Sequence, residues 1–322
     1  MQANREPARF VGVGEMLLRA TAPAGQALEA AETWSVHVGG AEANVAVQLA
    51  RLGESASMVT WLPDNPLGWR ARRWLQWHGV DTAHVTMVPD GRMGLYFTDG
   101  DEAGRPSTIL YDRERTPIRG VRELPVSAIV GADGIHITGI TALCAAELFE
   151  STVESALERS IPISYDCNYR DGLGPVELAR NMFDRAAAVA RWIFISRRDA
   201  AQVLGLEADA EQIAVKLRER FPQAVCIVSD GARGAAAAQD EEIKRADALP
   251  TTSVDGIGRG DALCAGFLWG EQRGDLSFAL RCGVALAGLS QTFRGDSGWV
   301  TRAQLEACVN GSVWETETAT HT

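Results

Sequence analysis

Residues 254–270, VDGIGRGDALCAGFLWG, place Gly256, Gly258 and Gly260 within five positions, directly ahead of an apolar run. Glycines let the backbone curl until successive N–H groups face one hollow. A helix beginning near Asp261 adds its free N–H groups and the positive end of its dipole. Such a hollow suits a phosphate whose charge is being redistributed. Asp261 at its mouth is placed to take a proton from an attacking hydroxyl. Arg259, between the last two glycines, keeps its N–H in the hollow, while its side chain either crowds the space or adds positive charge to it. The same residues also describe a plain turn with Asp261 as a helix cap, so the loop alone leaves both readings open.

Two further clusters carry polar chemistry. In VGGAEANVAV, residues 38–47, Gly39 and Gly40 let a ligand approach the backbone closely, and Asn44 can both donate to and accept from sugar hydroxyls. A strand–turn–helix with no ligand fits that segment equally well. Arg113, after Tyr111, and Arg170, closing DCNYR at 166–170, can grip a carboxylate with two parallel N–H groups. A solvated arginine is the ordinary alternative for either one.

These residues need a frame. Apolar runs at 9–14, 56–61, 133–138, 161–166, 191–195 and 224–229 read as strands. Helical periods lie between them at 41–52, 66–78, 144–159, 176–190 and 209–220. That alternation predicts an α/β fold with a mostly parallel sheet between helical layers. Residues 15–37 and 92–112 carry short strands without helices, including 94–98 and 107–111, and are expected to form an antiparallel flap over the main sheet. No linker divides the 322 residues, so one domain over 1–322 is expected, with a frayed polar tail at 314–322.

Composition narrows the partners. The net charge of −11 disfavours nucleic acid and membrane surfaces, both of which reward a basic face. No signal-like or membrane-length apolar stretch is found, and the six cysteines are scattered without a CxxC pair, which predicts reduced core thiols in a cytoplasmic protein. The five histidines lack metal-ligand spacing. Trp74 and Trp77, in a helix with Leu75, are expected to pack in a core or an interface.

In order, these segments resemble the PfkB, or ribokinase-like, carbohydrate kinases, and among them the 2-keto-3-deoxygluconate kinases. Family-wide marks are GGAEAN at 39–44 and GRGD at 258–261. Narrower marks are LPDNPLG at 62–68, RMGLYF at 92–97, RPS and YDR within 105–113, DCNYR at 166–170 and TFRGDSGWVT at 292–301. The resemblance implies a ribokinase-like fold with a small β lid, ATP and Mg2+ as cofactors, and a monovalent cation as a further candidate. It implies transfer of the ATP γ-phosphate to a primary hydroxyl, giving the 6-phosphate of 2-keto-3-deoxygluconate. Asp261 would be the base, with Gly258, Arg259 and Gly260 forming the anion hole. Gly39, Gly40, Asn44, Tyr96, Tyr111, Arg113 and Arg170 would hold the sugar acid. Ser196, Ser229, Gly231, Gly234 and Gly256 would hold the nucleotide, and Asp199 would reach magnesium through water. Lid pairing between copies implies a homo-oligomer. The chain departs from the family pattern at Arg259, usually a small residue, at SRRD 196–199, usually AsnxxGlu, and at Thr116-Pro117, usually Ser-Ala. A fructokinase-like enzyme acting on a neutral ketose and a catalytically weak sugar-acid-binding protein are the competing readings.

Overall fold

The computed structural model describes residues 6–99 and 108–311. The polar tail at 314–322 and Arg105–Ser107 of the RPS motif lie outside the described residues.

The N-terminal half runs β1 (Arg9–Val13), β2 (Leu17–Thr21), β3 (Ser35–Gly39), α1 (Ala41–Arg51), β4 (Ser55–Pro63), α2 (Pro66–Trp77), β5 (Val85–Val88), β6 (Gly94–Thr98) and β7 (Ile109–Asp112). There follow β8 (Gly134–Thr138), α3 (Gly139–Cys144), α4 (Ala146–Glu158), β9 (Ile163–Asp166), α5 (Val176–Ala187), β10 (Trp192–Ser196), α6 (Arg197–Leu204) and α7 (Ala210–Arg220). The chain continues with β11 (Val225–Ser229), β12 (Ala235–Gln239), β13 (Glu242–Ala246), α8 (Arg259–Glu271), α9 (Leu276–Ser290) and α10 (Arg302–Val309).

Nine strands form the main sheet in the order β13-β12-β11-β10-β9-β8-β1-β4-β5. From β11 to β5 all pairings are parallel, and β12 and β13 close one edge antiparallel. The strands read as unbroken apolar runs because both faces are covered. In β10, Trp192 and Phe194 face one apolar core, while Ile193 and Ile195 face the other. This two-residue alternation puts α1, α2, α8, α9 and α10 on one face and α3 to α7 on the other.

The predicted helix at 144–159 is divided, because Ala145 (φ −144°, ψ 65°) interrupts the turn between α3 and α4. Helix α9 carries no readable period, being buried nearly all round. Gly266 and Gly270 of α8 leave no room for a Cβ against the Cys282 carbonyl and Ala279, so these two helices lie unusually close.

Four strands form a second sheet in the order β3-β2-β6-β7. The expected antiparallel flap is corrected here. β2/β3 and β6/β7 are antiparallel hairpin pairs, but β2 and β6 join them in parallel. Two hairpins from distant segments meet side by side, and short-range turn signals report only the pairing inside each. All six cysteines are buried and free. Among the described residues no helix is long and apolar enough to cross a membrane.

Candidate active site

The parallel strands β8, β9, β10 and β11 end on Thr138, Asp166, Ser196 and Ser229, and ligands of open α/β sheets sit beyond such carboxyl ends. The N-terminus of α8 joins this edge. Gly258 caps that helix at φ 81°, ψ 4°, a left-handed conformation that favours glycine. A Cβ there would also overlap the Asp296 carbonyl oxygen. Gly260 has open space around it, and Arg259 is exposed. Gly256 lies inside a turn closed by the Ile257 N–H donating to Asp255 Oδ1 at 3.2 Å.

Asp261 sits in the first turn of α8 and is buried. Asn44, from the first turns of α1, donates its Nδ2–H to Asp261 Oδ2 at 2.7 Å. Burial pushes the Asp261 carboxyl up to about 7, against the Asn44 hydrogen bond and the Arg170 guanidinium, which pull it down; Glu42 and Asp296 push it up further. The carboxyl therefore titrates near neutrality, where a general base works best. Asn44 Oδ1 is buried without a hydrogen-bond partner, an acceptor suited to a substrate hydroxyl. Gly40 (φ 146°) caps α1, where a Cβ would crowd the Glu15 carbonyl.

The two arginines have different neighbours. Arg170 is half-buried, donates to the Tyr169 carbonyl at 2.8 Å, and acts electrostatically on Asp166 and Asp261. Arg113 is buried in an ion pair with Glu15, through Nε at 2.9 Å and through Nη2, and Thr116 Oγ1 donates to the other Glu15 oxygen at 2.5 Å. Only the Nη1 edge of Arg113 remains for a ligand.

Sequence reasoning gave no role to Arg19, Asp255 or Asp296. Arg19 of β2 donates Nη1 to Asp255 Oδ1 at 3.0 Å and Nη2 to Oδ2, and its Nε lies 3.2 Å from Asp296 Oδ1. Tyr96 of β6, expected to face the sugar, donates its hydroxyl to Asp296 Oδ2. Its ring lies 5.6 Å from that of Tyr111, its cross-strand partner. A Cβ at Gly39 would overlap the Asp296 carboxylate. The buried Asp296 therefore fastens the small sheet to the loop ahead of α8. The visible signal was its place in the TFRGDSG run.

Beyond β11, Gly231 (φ 57°) and Gly234 (φ 87°) shape the turn after Ser229, and a Cβ at Gly234 would overlap the Ala246 carbonyl. Ser196 Oγ caps α6 by accepting the Asp199 N–H at 3.0 Å. Asp199 is buried, and one of its oxygens accepts two N–H groups of Arg198 at 2.8 and 3.0 Å. Burial, then Asp261 and Asp199, push the Asp166 carboxyl well above its ordinary range. Among the described residues no three such side chains converge closely enough to grip a metal directly. Hard carboxylate oxygens that repel one another around one spot nevertheless suit Mg2+, which keeps most of its water and is shared with phosphates.

A family model described as pfkB family carbohydrate kinase matches residues 8–300. The chain is 33% identical over 310 residues to a 2-dehydro-3-deoxygalactonokinase of Haloferax volcanii, covering 94% of this chain and 97% of that protein. It is 32% identical over 239 residues to a fructokinase of Klebsiella pneumoniae, covering 72% and 76%. The solved 2-dehydro-3-deoxygluconokinase of Thermotoga maritima superposes with a TM-score of 0.84 at 25% identity, covering 94% of this chain and all of that one.

Proposed function

The chain belongs to the pfkB family of carbohydrate kinases, and from that premise we propose that it phosphorylates a 2-keto-3-deoxy sugar acid, turning 2-keto-3-deoxygluconate into its 6-phosphate. The observation that carries this reading is Asp261, near-neutral in its titration, held by Asn44 and in electrostatic reach of Arg170. The carboxylate takes the proton of the primary hydroxyl as its oxygen bonds to the γ-phosphorus, and the bond to the ADP oxygen breaks. N–H groups from Gly258 to Gly260 stabilise the charge that moves onto the phosphoryl oxygens. Ser196, Ser229, Gly231, Gly234 and Gly256 hold ATP. Asp199 and Asp166 would hold Mg2+ through its waters, and the ion would supply charge to neutralise the phosphates. Gly39, Gly40, Asn44, Tyr96 and Tyr111 wall the sugar, and Arg170 with the Nη1 edge of Arg113 meets its carboxylate.

A coupled ATP assay over the gluconate- and galactonate-derived keto-deoxy acids and fructose tests the substrate class. We expect kcat/KM at least tenfold higher for the acids. The likeness to a fructokinase favours the neutral ketose as the second reading, and a preference for fructose would replace the first.

Arg170→Ala separates the two further. Losing a charge-assisted pair is expected to raise KM for the acid roughly 10- to 100-fold and to leave KM for fructose nearly unchanged. Because Arg170 pulls the Asp261 carboxyl down, its removal also moves the acidic limb of the pH–rate profile to higher pH. An unmoved limb would detach Arg170 from Asp261.

A further inference from the structure

A cavity of about 820 Å³ lies between β3, α2 and the loop 294–299. Neither Asp261, Asn44, Arg113 nor Arg170 lines it, so it is distinct from the sugar site. Three guanidinium groups do: Arg70, Arg73 and Arg294. Arg70 donates to the Val36 carbonyl at 2.9 Å, and among the described residues none of the three has a carboxylate partner. In a chain of net charge −11 such a concentration of unneutralised cations stands out from the surface around it. His37 stands in the same wall. Burial and then Arg19, with Arg70 and Arg294 as lesser causes, hold that imidazole below its ordinary range, against Asp255.

The same cavity has an aromatic wall. Trp74, Trp77 and Trp299 surround His78, with ring centroids 5.0, 5.8 and 4.8 Å from the imidazole. Trp77 is 73% exposed and Trp299 38%, so the packing role expected for Trp77 leaves most of its ring free. His78 is 6% exposed, and neither ring nitrogen has a hydrogen-bond partner. Both nitrogens are closed off from the cavity, so His78 backs the aromatic wall and fixes the Trp77 and Trp299 rings against which a ligand would lie.

We infer that this cavity is a second ligand site, taking a small organic anion built on a flat ring. The anionic group lies between Arg70, Arg73 and Arg294, and the ring lies against Trp77 and Trp299. The loop 294–299 forms this wall and also carries Asp296, which packs on Gly258 and receives Tyr96 and Arg19. Occupancy therefore alters the rate of the kinase through that loop.

The test is calorimetric titration of the full chain with naphthalene-1-sulfonate, with inorganic sulfate and 1-naphthalenemethanol as half-ligands. We expect one site per chain, at least tenfold tighter than for either half-ligand and unchanged by saturating ADP. The double variant Arg70→Ala/Arg294→Ala should bind at least tenfold more weakly while keeping its unfolding midpoint and its basal kcat/KM. The sulfonate should change kcat or KM at least twofold in the native chain and not in the variant. Displacement by ADP, equal affinity in the variant, or equal binding of the half-ligands would overturn the site. Tight binding with no kinetic effect would overturn its coupling to catalysis. Because binding is read without turnover, a wrong sugar assignment leaves this result untouched.

Discussion

Asp261→Asn lowers kcat by roughly 10³-fold or more, the combined scale of losing a general base and a charge in the reacting centre, while sugar binding measured by calorimetry stays within a few-fold. Asparagine keeps the shape and still accepts the Asn44 N–H, so the loss isolates the proton transfer. In the unsubstituted enzyme kcat/KM rises with pH through a limb near 7, because only the ionised carboxylate accepts the proton. Stability moves the other way. The folded-state value of about 7 lies above the ordinary 3.8, so the native state holds this proton more tightly than the unfolded chain. Its stability contribution is present at low pH and is lost as pH rises from about 4 to about 7. At pH 8 the asparagine variant should therefore be more stable, by up to a few kcal/mol, as read from its denaturant midpoint. A variant equally active, or one both inactive and less stable at pH 8, would remove Asp261 from the role of base.

The second large effect belongs to Arg19→Leu. Arg19 is 1% exposed and is the cation between Asp255 and Asp296. Removing one member of a buried ion network leaves its partners charged and unmatched, which typically costs about 3–5 kcal/mol. Asp255 would keep only the N–H groups of Ile257 and Gly295, at 3.2 and 3.0 Å. Asp296 would keep the Tyr96 hydroxyl. Because β2 and β6 hold the loop ahead of α8, the proposed site of phosphoryl transfer, through these contacts, KM for the sugar should rise as well. Denaturant unfolding and steady-state kinetics on the same variant read both effects. A loss below about 1 kcal/mol, the scale of an exposed pair, would show that the network does not bind the two sheets together.

Much of this was legible in the chain itself. The parallel strands announced themselves because each is an apolar run between turn residues, and GRGD with GGAEAN marked the two helix starts that do meet, Asn44 on Asp261. What stayed hidden was whatever depends on distant partners. The alanines of β12 have low strand propensity and are held in the sheet by β11 and β13. Arg113 reads as a ligand-binding arginine until Glu15, 98 positions away, is seen to occupy it. Arg19 sits buried in a strand among apolar residues, and only Asp255, 236 positions on, together with Asp296 explains it.

Gly39 and Gly258 press on Asp296 from opposite sides, one on its carboxylate and the other on its carbonyl. The gap between cover and body is thus set to the width of one side chain. Any chimaera that borrows the cover of another sugar kinase inherits this tolerance. A donor strand with any larger residue opposite Asp296 would overlap its carboxylate, so Gly39, Gly258 and Asp296 have to be exchanged together.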